Sequence, residues 1–124
     1  MQIHESAENY LEAILMIQER CGSVRSIDIA NELEFSKPSV SVAMKNLRTN
    51  GYIEMDKSGL ISLLPKGREI AERTYEKHKV LSMCLTVLGV DPKVAAEDAC
   101  RIEHVISAES FDAIKRHLHE KGLM

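Results

Sequence analysis

Apolar residues recur along this chain with two different periods. Between Ser6 and Arg20 they fall at Tyr10, Leu11, Ile14, Leu15 and Ile17, the spacing of one helix face. Ser6 is the expected N-cap, and Glu8 suits the first turn. The run breaks at Cys21-Gly22. Ile27, Ile29, Ala30 and Leu33 behind Ser26 predict a short second helix. A third starts at Ser36, with Pro38 in the first turn, where a missing N–H costs nothing. Its expected buried stripe is Val40, Ala43, Met44 and Leu47, and Asn50-Gly51 is its stop. The period then shortens to two. "YIEMDKSGLISLL" reads as two short strands around a turn at Lys57-Ser58-Gly59. Helical spacing returns at Pro65 and continues to about Leu88, with Gly89 as its end. Asp91-Pro92 opens a fifth helix, and Ser107 with Glu109 a sixth.

Two short helices joined by a tight turn, the second opening on small polar residues, describe a helix-turn-helix. A hairpin directly after it is the wing of a winged helix. The recognition helix would run from about Lys37 to Thr49. Ser36, Pro38, Ser39 and Val42 are placed for base edges or thymine methyls. Lys37, Lys45, Arg48 and the wing residue Lys57 are placed for phosphates. Ser41 and Arg25 complete the expected DNA-contacting set. No Arg, Asn or Gln opens the recognition helix, so the expected specificity rests on DNA shape and methyl contacts. Dimerisation across two half-sites would add affinity.

Charge is distributed in keeping with this. The net value of −3 divides into −4 for residues 1–19, +3 for 20–68 and −2 for 69–124. A mildly basic middle between acidic ends fits a DNA-binding segment beside an acidic sensing region. Three cysteines, Cys21, Cys84 and Cys100, cannot close a disulfide framework and point to a reducing, cytoplasmic setting. No apolar run is long enough for a membrane span, and no signal peptide pattern opens the chain. With two Phe and no Trp, the core must be aliphatic.

Within "EDACRIEHVIS", Cys100, Glu103 and His104 stand at i, i+3 and i+4, one face of a helix. They offer sulfur, oxygen and nitrogen donors. The same spacing also suits a chance cluster on a charged helix. His78 lies midway along the long helix, and Asn9 and Glu12 share a side of the first. Such a mixed donor set suits Fe(II), Mn(II), Co(II), Ni(II) or Zn(II), the thiolate favouring the later, softer ions. His4, His117 and His119 lack partners at matching spacing and read as surface or tail histidines.

The chain resembles the diphtheria-toxin-repressor family of metal-dependent transcriptional regulators, which includes the manganese transport regulators. "AENYLEAI" is similar to that family's first-helix motif, and "IANELEFSKPSVSVAMKNLRTNGYI" to its winged helix. "LLPKGREIA" resembles the entry to the linking helix; "EKHKVL", "LGVD" and "ACRIEHVIS" resemble the metal-binding and dimerisation lobe. The resemblance implies a mainly α fold. A winged helix-turn-helix domain at 1–64 would precede an all-helical metal-binding and dimerisation domain at 65–124, without the SH3-like domain of longer members. It implies a metal set of Asn9, Glu12, His78, Cys100, Glu103 and His104.

This set mixes two branches of the family. The cysteine at 100 is the iron-branch form, while Glu12 is a ligand of the manganese branch. Asn9 stands where the manganese branch has aspartate and the iron branch methionine. Ser82 and Ala96 replace further iron-branch ligands, and Val42 replaces a polar base-contacting residue. The implied protein is a cytoplasmic, homodimeric repressor of a double-stranded DNA operator. It would answer to Fe(II) or Mn(II) and have no small-molecule substrate. Two rivals stand beside it: a winged-helix regulator of a small organic ligand, and a small zinc enzyme with Glu103 as base.

Overall fold

The protein is described by a computed structural model covering residues 5–124. In order, the elements are α1 (Glu5–Cys21), α2 (Ser26–Leu33), α3 (Lys37–Thr49), β1 (Ile53–Met55), β2 (Ile61–Leu63), α4 (Pro65–Val87), α5 (Pro92–Ile102) and α6 (Ala108–Glu120). The chain divides into two compact units, and the division falls inside α4, between Arg73 and Thr74.

In the first unit, α1 packs on α2, α3 and β2, while α3 packs on α2 and β1. All five residues of the expected α1 stripe are buried. So are Ile29 and Ala30 of α2 and Val40, Met44 and Leu47 of α3. Ile27 departs from the expected stripe and is 39 % exposed. A helix of only eight residues has little more than two turns, and this one turns Ile29 and Ala30 inward instead.

The helix ends follow local chemistry. Ser6 lies inside α1 and does not cap it. At α2 the N-cap is Arg25, not Ser26. Arg25 has extended backbone (φ −127°, ψ 164°), and its N–H donates to Asp28 Oδ2 at 2.9 Å. The Asp28 carboxylate reaches back to the N–H of the N-cap residue itself, the reciprocal half of a capping box. Ser36 caps α3 as expected, accepting from the Ser39 N–H at 3.3 Å. At its other end, Gly51 (φ +80°) donates to Arg48 O and Tyr52 to Leu47 O, a Schellman motif that needs a left-handed residue. The turn between α2 and α3 uses Glu34 at φ 57°, a conformation that few residues other than glycine adopt.

The wing is a two-stranded antiparallel hairpin with Ile53 opposite Leu63 and Met55 opposite Ile61. Asp56 organises its tip: Oδ1 accepts from the N–H groups of Ser58 (2.8 Å) and Leu60 (2.9 Å). Two bonds tie the hairpin to the loop before α2. Ile61 N–H donates to Val24 O at 2.8 Å, and the Arg25 guanidinium donates to Ser58 O.

Helix α4 starts against the backbone of Tyr52. The Leu64 N–H donates to Tyr52 O at 3.0 Å, and Lys66 Nζ sits 4.3 Å from the centre of the Tyr52 ring. Gly67 permits this approach, because a Cβ there would lie 2.1 Å from Tyr52 O.

In the second unit, Val80, Phe111 and Leu118 form the buried cluster, with Cys84, Ile106 and Ile114 packed against it. Asp91 and Ser107 cap α5 and α6 as expected, each accepting an N–H at 3.1 Å. Of the apolar residues of the last three helices and their loops, Leu88 and Val105 are exposed (74 % and 77 %), whereas Leu81 is buried. Ile106 packs into its own unit's core.

The Gly67 contact yields a direct test. Gly67→Ala should destabilise the protein by about 1–3 kcal/mol, the range for a forced overpacking. Urea denaturation would measure it, and an unchanged midpoint would show that α4 can shift off Tyr52 at no cost.

Candidate functional site

The turn after α5 carries the most buried polar chemistry of the second unit. α5 ends at Ile102, and Glu103 follows as its C-cap, still in right-handed helical geometry, donating its N–H to Ala99 O. The Glu103 side chain is 0 % exposed and the neighbouring His104 side chain 1 %. From α4, His78 Nδ1 lies 3.0 Å from Glu103 Oε2. His104 Nε2 lies 3.4 Å from Glu103 Oε1. Two imidazoles thus flank one buried carboxylate, and Glu103 Oε1 accepts no hydrogen bond among the described residues.

Burying a carboxylate is costly unless it is paired and its lone pairs are used. One oxygen here is served by an imidazole and the other lacks a hydrogen bond. Nitrogen and oxygen donors around a carboxylate deficient in positive charge fit a divalent transition metal. The donor types present therefore suit such an ion.

The remaining expected ligands are placed as follows. Cys100 is exposed on the last turn of α5. In the first unit, Glu12 is a buried carboxylate of α1, 6 % exposed, and Asn9 is half-buried one turn before it. His117 and His119 are exposed in the last turn of α6, and His4 lies outside the described residues.

The expected DNA-contacting residues all lie at the surface. Ser36, Lys37, Pro38, Ser39, Ser41, Val42, Lys45 and Arg48 are exposed, as are Arg25 and Lys57. Val42 is 61 % exposed on the recognition helix. A groove of about 290 Å³ is lined by Ser26, Ile27, Lys37 and Ser41. A second, of about 210 Å³, is lined by Ser26, Ser41, Met44, Lys45, Arg48 and Met55. Ser26, Ile27 and Met55 were not expected on this face. The sequence pattern assigns Ser26 and Ile27 to the cap and core of α2. Reading Arg25 as the cap would have put Ser26 on the first helical turn, at the surface.

Comparison with known proteins agrees with this architecture. The profile of the iron dependent repressor N-terminal DNA binding domain matches residues 2–60, and that of the iron dependent repressor metal binding and dimerisation domain matches 64–121. The transcriptional regulator MntR of Escherichia coli O157:H7 is 34% identical over 118 residues, covering 95% of this chain and 76% of the relative. The HTH-type regulator MntR of Listeria monocytogenes serotype 4a is 36% identical over 109 residues, covering 88% and 77%. Among solved structures, IdeR of T. acidophilum superposes with a TM-score of 0.80 at 26% identity, and the manganese regulator SloR with 0.80 at 27%. These cover 98% and 96% of this chain but 55% of each neighbour, so the chain spans about half their length.

The chain belongs to the iron-dependent repressor family of metal-dependent transcriptional regulators. The relatives are regulators and not enzymes, and the organic-ligand alternative finds no support among them. No helix among the described residues is long and apolar enough to cross a membrane.

The carboxylate cluster predicts an order of stabilities in EDTA. His78→Ala removes the hydrogen bond to a buried charge and should cost about 1–3 kcal/mol. Glu103→Gln removes the buried charge itself and should cost less, because an amide is cheaper to bury than a carboxylate. Urea denaturation of the two variants checks this, and the reverse order would mean that the charge is already compensated in the metal-free protein.

Proposed function

We propose that this protein is a homodimeric, cytoplasmic repressor that binds a double-stranded DNA operator when loaded with a divalent transition metal. Fe(II) and Mn(II) are the proposed physiological ions, with Co(II), Ni(II) or Zn(II) as substitutes in vitro. The observation that carries the reading is the buried Glu103 carboxylate flanked by His78 and His104, in a chain whose other unit is a winged helix. We propose Asn9, Glu12, His78, Cys100, Glu103 and His104 as the ligand set, and a functional division into residues 1–64 for DNA and 65–124 for metal and self-association.

When bound, a divalent ion supplies the positive charge that the buried carboxylate lacks. His78 then offers a ring nitrogen on the rigid frame of α4, and its hydrogen bond to Glu103 fixes the ring's orientation. The α3 face supplies affinity through Lys37, Lys45 and Arg48, and Lys57 does so from the wing. Ser36, Pro38, Ser39, Ser41 and Val42 meet the bases, with Val42 giving an apolar contact where a hydrogen-bonding residue would read an edge. Metal and DNA affinities are linked, so each raises the other by the same factor; about 1–3 kcal/mol of coupling gives roughly 5–150-fold control.

The test is anaerobic binding to a duplex selected from a random pool, titrated with Mn(II), Fe(II), Co(II) and Zn(II) and reversed with EDTA. Wild type should gain roughly 5–150-fold in affinity with at least one ion. Equal affinity with and without every ion would rule out the sensor. Cys100→Ala should weaken the metal response, and an unchanged response would remove Cys100 from the ligand set.

A further inference from the structure

Arg25 belongs to the expected DNA-contacting set, and its side chain has an engagement within the protein. Its backbone is held by Asp28, which accepts the Arg25 N–H at 2.9 Å. Its guanidinium donates from Nη1 to the carbonyl of Ser58, thirty-three residues away at the tip of the wing. A Cβ on Gly59 would lie 3.7 Å from Nη1, so the guanidinium lies close along the tip backbone. The preceding residue, Val24, is 0 % exposed and accepts from Ile61 N–H at 2.8 Å, so residues 24 and 25 together hold one side of the hairpin.

We infer that Arg25 is a positioning residue that presents the wing tip, and with it Lys57, to DNA. The inference rests on the DNA-binding reading above and refines it. β1 and β2 pair over only three residues each, too little to be stable without support from the rest of the domain. Asp56 sets the shape of the turn from within, but shape alone does not orient it against α2 and α3. Strand packing on α1 and α3 and the Ile61–Val24 bond place the base of the hairpin, and the Arg25–Ser58 bond ties down its tip. Lys57 precedes the acceptor residue, so its side chain leaves the backbone at the point where the hairpin is clamped. Arg25 therefore acts on DNA affinity chiefly through Lys57.

Two measurements on the full chain test this. Without DNA, trypsin should cut after Lys57 about tenfold faster in Arg25→Ala than in wild type, at equal Tm; an equal cutting rate overturns the inference. With Mn(II) present, affinity for the selected duplex is compared for wild type, Arg25→Ala, Lys57→Ala and the double variant. Each single substitution should weaken binding about fivefold, and the double variant should match Lys57→Ala within about 1.5-fold, the signature of residues acting as a unit. The slope of log K against log salt should fall by about 0.9 for Lys57→Ala and no further in the double variant. Multiplying losses, or a second fall of about 0.9, would instead make Arg25 an independent phosphate contact and overturn the inference. Failure of wild type to bind any duplex would overturn the DNA-binding reading, and the trypsin comparison would still decide the role of Arg25.

Discussion

The carbonyl of Tyr52 is the point from which the helical half of the chain is launched. It accepts the Leu64 N–H, and its oxygen leaves no room for any side chain at position 67. Tyr52 is placed by the Schellman turn that ends α3, since its own N–H closes that motif on Leu47 O. The end of the recognition helix and the start of α4 are thereby fixed by the two polar groups of one residue. α4 then runs for 23 residues, and His78 lies along it.

A second constraint is electrostatic. Glu103 is a carboxylate with no solvent access, and its neighbours are imidazoles, which are charged only when protonated. Lys or Arg in those places would pair the charge permanently and close the site to a cation. Histidine keeps the arrangement open: its ring satisfies an oxygen as a hydrogen-bond donor or offers a lone pair to a metal, depending on tautomer. The apolar packing of the second unit is an aliphatic and aromatic cluster around Val80, Phe111 and Leu118.

Much of this was legible from local pattern. Capping residues at Ser36, Asp91 and Ser107 and stops at Gly51 and Gly89 follow from backbone chemistry within a few residues, and the structure shows each in use. The less legible features are long-range. Nothing near Gly67 announces a carbonyl fifteen residues earlier, and nothing near Arg25 announces Ser58. The end of α5 was hidden for a different reason: "RIEHVIS" contains no glycine, proline or asparagine, so its helical spacing runs past the true end at Ile102. Glu103 and His104 consequently turn their buried side chains inward from a turn, not from an extended helical face beside Cys100. His78 was identified by its type and its place on the long helix, but its partner lies 25 residues away and only the folded chain shows the bond.

The wing tip divides its labour unevenly among its residues. Asp56 shapes the turn, Ser58 supplies the clamped carbonyl, and Gly59 adopts the left-handed conformation at φ +84°. The Lys57 side chain enters none of these bonds. Lineages descending from this protein are therefore free to change the residue at 57 without disturbing the hairpin, while Asp56 and Gly59 are held by the architecture. DNA affinity thus has an open route of change at the tip, one that leaves the folding of the domain untouched.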